Sequence, residues 1–276
     1  MTDDLELVRD HYRAAGVTER LKAALATLGP EDRRFTPGEL AGLDQFHTRG
    51  LAATIDQSKL ARISADDLVL DVGAGLGGPA RFVAATYGCS VVGVDLSQSF
   101  VDAARYLTER TGQTGEVSFQ LASAAELPFD DGRFDVALLQ HVAMNVADRA
   151  GLYREIRRVL KPAGRLATYD VVADAGEPIY PLPWARTPAT SFLLSAAATR
   201  RSVEEAGFRT VEWRDDSEAA KAWAGELLAA GPPSGLNLGL VMGRDIGALA
   251  ANLGRSFIEG RLGVVAAVFE VAPASA

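Results

Sequence analysis

Asp71-Val72-Gly73-Ala74-Gly75-Leu76-Gly77-Gly78 is the segment whose residue types could do most for a ligand. Glycines at alternate positions let the chain turn tightly and bring bare backbone against a bound group. A helix starting here adds free N–H groups and the positive end of its dipole. Asp95, twenty-four positions after Asp71, is a carboxylate able to accept both hydroxyls of a ribose. Gly73, Gly75 and Gly78 fit G-x-G-x-x-G, the dinucleotide pattern, while Asp71, Gly73, Gly75 and Gly77 fit D-x-G-x-G-x-G. An acid just ahead of the glycines suits an ammonium group better than a pyrophosphate. That favours the second pattern and leaves a nicotinamide oxidoreductase as the rival.

Gln140-His141 and Asp170 form a second group. Histidine is the side chain best poised to take a proton near neutral pH. Asp170, on the neighbouring strand, is placed to orient His141 or to share the proton, which is the chemistry of deprotonating a hydroxyl. The plainer alternative is that Gln140 and His141 only border a bound cofactor and that Asp170 caps a loop. His47, beside Phe46 in a loop between helices, is expected at the substrate entrance. Tyr180, Trp184 and Phe192 lie in a segment with four prolines, residues 173–194, and are expected to cover the substrate. His11 reads as a solvated helix position, and Asp215-Asp216 as a surface turn. No set of His, Cys and carboxylates has metal spacing, so no metal site is expected.

These residues need elements to hold them. Residues 1–66 read as helices: Leu21, Ala24, Leu25 and Leu28 share one face that Gly29-Pro30 stops, and Thr36-Pro37-Gly38-Glu39 is a capping box with proline at the first helical position. Leu51 and Ile55 mark another short helix. From residue 67 the rhythm changes to strand alternating with helix. Strands are expected at 68–70, 91–94, 117–121, 134–139, 166–172, 208–214 and 263–271. Helices are expected at 79–87, at 98–110 with Ser97 as cap, at 149–160 ended by Lys161-Pro162-Ala163-Gly164, and at 196–206. A helical stretch interrupted by Gly231-Pro232-Pro233 separates the last two strands. Strands apolar on both faces argue a doubly wound, mostly parallel, seven-stranded α/β sheet, residues 67–276, with a helical extension at 1–66.

Composition narrows the partners. Lys and Arg total 28 against 36 Asp and Glu, a net charge of −8, which gives no general attraction to a phosphate backbone, so nucleic acid is not expected. Cys89 is the single cysteine, which excludes an internal disulfide and reads as a small buried hydrophobe. Met1-Thr2-Asp3-Asp4 lacks a signal-peptide pattern, and the apolar stretches are too short for a membrane span, so a cytoplasmic protein with no membrane partner is expected.

Several segments together resemble the class I S-adenosylmethionine-dependent methyltransferases. Leu70–Gly78 looks like their first motif, and Val92–Ser97 like the second strand with its ribose-binding acid. Glu126-Leu127-Pro128-Phe129 with Phe134-Asp135-Val136 resembles the approach to strand four. Val159–Gly164 resembles the turn before strand five. The match covers residues 67–172. It is similar to the small-molecule subgroup, which includes sarcosine/dimethylglycine N-methyltransferases, tocopherol-type C-methyltransferases and rebeccamycin-type sugar O-methyltransferases. The resemblance implies S-adenosylmethionine as cofactor, S-adenosylhomocysteine as product and a small-molecule acceptor. It implies that Asp71, Gly73, Ala74, Gly75 and Gly77 line the methionine and ribose side, that Asp95 holds the ribose, and that Leu96 packs on the adenine. Gln140 borders the cofactor. The family often has an acid for the adenine amino group where this chain has Ser123, before Ala124. The sugar O-methyltransferases use a His and an Asp where this chain has His141 and Asp170, which points to a hydroxyl acceptor. An amine or carbon acceptor and a non-catalytic cofactor-binding module are the alternatives.

Overall fold

A computed structural model describes residues 16–230, 235–243 and 245–273. His11, the start of the N-terminal extension and the Gly231-Pro232-Pro233 break lie outside the described residues. The expected rhythm appears as seven strands: β1 Leu68–Val72, β2 Ser90–Asp95, β3 Val117–Leu121, β4 Phe134–Gln140, β5 Leu160–Ala173, β6 Phe208–Asp215 and β7 Leu262–Val271. They form one sheet in the order β3-β2-β1-β4-β5-β7-β6. All the pairs from β3 to β5 are parallel, and β7 enters antiparallel between β5 and β6.

Alternation along the strands buries both faces. Leu70, Val72, Leu139, Leu166 and Phe269 meet helices Arg149–Val159 and Ala196–Glu205 on one side. Val69, Val91, Leu138, Ala167 and Val268 meet helix Gly78–Tyr87 on the other. The carboxyl ends of β1, β2, β4 and β5 therefore converge where the strand order reverses beside β1, the usual ligand crevice of such sheets.

In the extension, helices Val17–Ala26, Pro37–Asp44 and Leu51–Leu60 form. The Thr36–Glu39 capping box is present with both reciprocal bonds. Leu21, Leu25, Leu40 and Leu43 pack with Leu76 of the glycine loop and with Phe100, Ala103 and Leu107 of helix Gln98–Thr111, so extension and sheet share a core.

Four local expectations need correction. The first helix ends at Ala26, short of Gly29-Pro30, and Leu28 is exposed. Ser97 stands at the N-cap position as expected, but its side chain makes no capping bond; its hydroxyl meets Ser99 Oγ at 2.9 Å, and its own amide is held by Asp95. Lys161-Pro162-Ala163-Gly164 is a bulge inside β5, with Ala163 at φ +59°, not a turn outside it. Asp216 is buried and ion-paired with both Arg49 and Arg214, so it is no surface turn. Among the described residues no helix is long and apolar enough to cross a membrane.

Candidate active site

The glycine loop runs from β1 into helix Gly78–Tyr87. Gly73 and Gly75 sit at φ +73° and +54°, where a side chain would be strained. A Cβ on Gly73 would run into Val142, and one on Gly75 would press on the Phe46 ring at 3.0 Å. The amides of Gly73 and Ala74 both bond the Val94 carbonyl, at 2.8 and 2.9 Å, which clamps the loop to β2. Asp95 closes the arrangement: one oxygen accepts from the Gly75 amide at 2.8 Å, the other from the Ser97 amide at 2.9 Å.

Asp71 is buried, and its Oδ2 has no hydrogen-bond partner. Burial pushes it up to about 7, and the nearby Asp95 carboxylate adds to the push. An orphaned carboxylate oxygen beside a glycine cradle fits the ammonium and ribose ends of S-adenosylmethionine. Gln140 at the end of β4 is likewise buried with Oε1 unpaired. Leu96 is partly exposed next to Asp95. The Ser123 hydroxyl already accepts from the Ala125 amide at 3.2 Å and keeps one lone pair for an adenine amino group, while Ala124 packs on the sheet core.

The titration of Asp71 has a consequence for binding. A cationic group set against it stabilises the ionised form, so a proton leaves on binding at any pH below the free value. Affinity for S-adenosylhomocysteine is expected to rise with pH up to about 7 and then level off, losing up to about tenfold per pH unit below that point. Calorimetry in buffers of different ionisation enthalpy measures the released proton. A flat profile, or the same slope in Asp71→Asn, would remove Asp71 from the ammonium site.

A strap from the extension lies against this cradle. Asp44 and Arg81, both fully buried, pair at 2.6 Å, and Arg81 also bonds Thr108 and the Ala104 carbonyl. Burial outweighs the pull of Arg81 and raises Asp44 to about 6. Beyond Asp44, Phe46 reaches Gly75 and stacks on Phe100. Then Gln45, His47, Thr48 and Thr54 make a buried polar cluster. His47 Nε2 lies 3.1 Å from both Gln45 Oε1 and Thr54 Oγ1, and Gln140 Nε2 donates to Thr54 Oγ1 at 3.5 Å. Burial lowers His47 to about 4, so it is neutral at physiological pH.

His141 follows β4 with φ +53°, a left-handed conformation uncommon for a residue with a side chain. Its amide donates to the Tyr169 carbonyl at 2.8 Å. Its ring lies parallel to the Tyr169 ring, with centroids 5.5 Å apart, and meets His47 edge-on at 6.0 Å. Nε2 is 3.3 Å from Thr48 Oγ1, which donates to the Tyr169 hydroxyl at 3.2 Å. Burial, and then the neighbouring His47, hold the imidazole well below its usual range.

Asp170 does not join it. The expected His141–Asp170 pair is replaced by His141 with Thr48 and Tyr169: the left-handed backbone at His141 turns its ring to the Tyr169 side, while Asp170, the next residue of β5, faces the opposite side. Tyr169 faces the strap, while Asp170 points back toward the amides of His141, Val142 and Ala143 without closing a hydrogen bond to any of them. Burial raises Asp170 to about 6 against the pull of Arg149 and those amides. Its place is behind the turn that carries His141.

His47, expected at the entrance, is instead 7% exposed within the cluster. Trp184 is a core residue packed with Met144, Tyr169 and Leu182, its indole N–H donating to Ser191 Oγ at 3.0 Å, so it backs Tyr169. Tyr180 remains half-buried at the rim of the same cluster. Sequence reasoning missed Gln45, Thr48, Thr54 and Tyr169. For Gln45 and Thr48 the signal was a run of polar residues around Phe46 between two helices; Thr54 within a helix and Tyr169 within a strand carried none. Among the described residues no group of three or more His, Cys, Asp or Glu is placed to hold a metal ion.

Residues 70–168 match the family described as Methyltransferase domain. An O-methyltransferase of Pyrenophora dematioidea is 30% identical over 202 residues, 72% of this chain and 74% of that protein. An O-methyltransferase of Aspergillus sclerotiorum is 36% identical over 158 residues, but the match spans 55% of this chain and 58% of the relative. The fold superposes on a geranyl diphosphate C-methyltransferase from Streptomyces coelicolor A3(2), solved with Mg2+, geranyl-S-thiolodiphosphate and S-adenosylhomocysteine. That likeness has a TM-score of 0.69 and 19% identity, and covers 98% of each chain.

Proposed function

This chain belongs to the class I S-adenosylmethionine-dependent methyltransferases, and from that membership we propose that it methylates an oxygen of a small cytoplasmic metabolite, with His141 taking the acceptor's proton. The observation that carries this reading is the position of His141. Val142, the next residue, lies against Gly73 of the cradle, so the imidazole stands one residue from the place where the cofactor's reactive end is expected. S-adenosylmethionine supplies an electrophilic methyl group when bound. Asp71, the glycine loop and Asp95 would hold it, and Ser123 would be left to meet the adenine. A hydroxyl is a poor nucleophile until its proton is accepted, so a neutral imidazole beside the cradle serves that acceptor. An amine that is already neutral needs no base in the step. The two O-methyltransferase relatives support the oxygen acceptor; the N- and C-methyltransferase alternatives predict a dispensable His141. The direct test is a methylation screen against a metabolite pool with labelled cofactor, followed by location of the label. Label on oxygen supports the reading, and label only on nitrogen or carbon overturns it.

The strap and the helices around it serve as a cover for the site. Asp44, Phe46 and Thr48 contact Arg81, Gly75 and His141 in turn. Hydrogen exchange across residues 35–60 is therefore expected to slow when S-adenosylhomocysteine and acceptor bind. Protection confined to residues 71–95 would remove the cover from the mechanism.

A further inference from the structure

Thr48 touches the candidate base and the aromatic ring stacked on it at once. Its side chain is buried, its Oγ1 lies 3.3 Å from His141 Nε2, and it donates to the Tyr169 hydroxyl at 3.2 Å. A threonine hydroxyl has a single proton. With that proton given to Tyr169, Oγ1 faces Nε2 with a lone pair only. Nε2 must then carry the hydrogen if the contact is a bond, and the ring's free lone pair is on Nδ1. Among the described residues nothing is hydrogen-bonded to Nδ1.

We propose that Thr48 is a positioning residue that fixes His141 as the Nε2–H tautomer and so leaves Nδ1 as the atom that receives the acceptor's proton. The inference rests on the reading of His141 as the base. When the acceptor hydroxyl gives up its proton to Nδ1, the imidazolium keeps its Nε2–H on Thr48, so no partner has to change as charge develops. The Tyr169 ring stacked at 5.5 Å fixes the plane of the imidazole. The Arg49 guanidinium, paired with Asp56 and Asp216, lies close enough to the phenol that its positive charge favours electron density on the phenol oxygen, which accepts the Thr48 proton. Because Thr48 comes from the extension and His141 from β4, the tautomer is set only when the strap is seated. Covering the site and arming the base thus become one event.

The test is nitrogen-15 NMR of the full chain labelled at histidine, with the His141 signals assigned by their loss in His141→Ala. The wild type is expected to show the Nε2–H pattern at His141. Thr48→Val, which keeps the volume and removes the oxygen, is expected to lose that preference and to lower kcat at least about tenfold with KM for the acceptor nearly unchanged, since a misplaced imidazole proton disables a base without displacing the substrate. Thr48→Ser is expected to restore both. A proton found on Nδ1 in the wild type, or a pattern unmoved by Thr48→Val, overturns the proposal. The expected NMR changes combined with normal turnover in His141→Ala would instead overturn the general-base reading, because the tautomer is read without catalysis.

Discussion

Replacing His141 with alanine is expected to lower kcat by about 10²–10⁴-fold while affinity for S-adenosylhomocysteine stays close to that of the wild type. The cofactor residues do not depend on the imidazole: Asp95 is held by the amides of Gly75 and Ser97, and Asp71 faces Arg81 and Asp95. Two pH values separate a base from a contact. The folded imidazole titrates well below 6.5, so the wild-type ring is neutral and competent at neutral pH, and its rate falls only as acid protonates it. Removing the ring abolishes that rise of rate with pH, whereas losing a mere binding contact lowers the rate equally at every pH. Near-normal turnover with an unchanged profile would mean that proximity alone does the work, and the acceptor would then be a neutral amine. Asp170→Asn is expected to cost less than His141→Ala, because Asp170 faces the backbone of residues 141–143 and not the ring.

The contrast between these two residues marks how far sequence reaches. Sheet order, the glycine loop and Asp95 follow from apolar alternation and from residues whose chemistry is local. Each requires only that a strand end where a helix begins. The His141–Asp170 pair was expected because both residues stand at the carboxyl ends of neighbouring strands, and the observed register alone would have allowed it. Leu139 pairs with Thr168 and Gln140 with Tyr169, so the next pair would place His141 and Asp170 on one face. The single left-handed residue breaks the count: φ +53° at His141 swings the ring across to Tyr169. Asparagine, aspartate and histidine tolerate that conformation better than other side chains, but nothing in the local residues requires it. Such conformations gather at sites where the surroundings over-determine them, and here a strap more than ninety positions away supplies the contact at Thr48. Long-range contacts of this kind leave no periodic trace. The Asp44–Arg81 pair leaves no trace for the same reason: its two residues sit on separate helices, thirty-seven positions apart.

Asp95→Ala is expected to weaken S-adenosylhomocysteine binding by at least tenfold and by as much as about 10⁴-fold. Each carboxylate oxygen of Asp95 already accepts one backbone amide, at 2.8 and 2.9 Å, which leaves one further acceptor site on each for the two ribose hydroxyls. Hydrogen bonds to a charged acceptor contribute about 1.5–3 kcal/mol each, so losing two accounts for most of that range. The alanine variant also releases the Gly75 amide, and a loop freed at φ +54° no longer holds the cradle open in one shape. Asp95→Asn divides the two effects. Its carbonyl oxygen keeps one acceptor while its amide turns a donor where an acceptor is needed, so it should fall between wild type and alanine. Because Asp95 is held above its ordinary value by burial, the wild-type affinity contains a charged-form contribution that grows as pH rises; the asparagine variant lacks it, and the gap between the two proteins should widen from acid to neutral pH. Calorimetry on both variants, with thermal unfolding to confirm that each is folded, makes the measurement. A folded Asp95→Ala protein that binds S-adenosylhomocysteine as tightly as the wild type would show that the ribose lies elsewhere, and the cradle would then have to be reassigned from Asp71 outward.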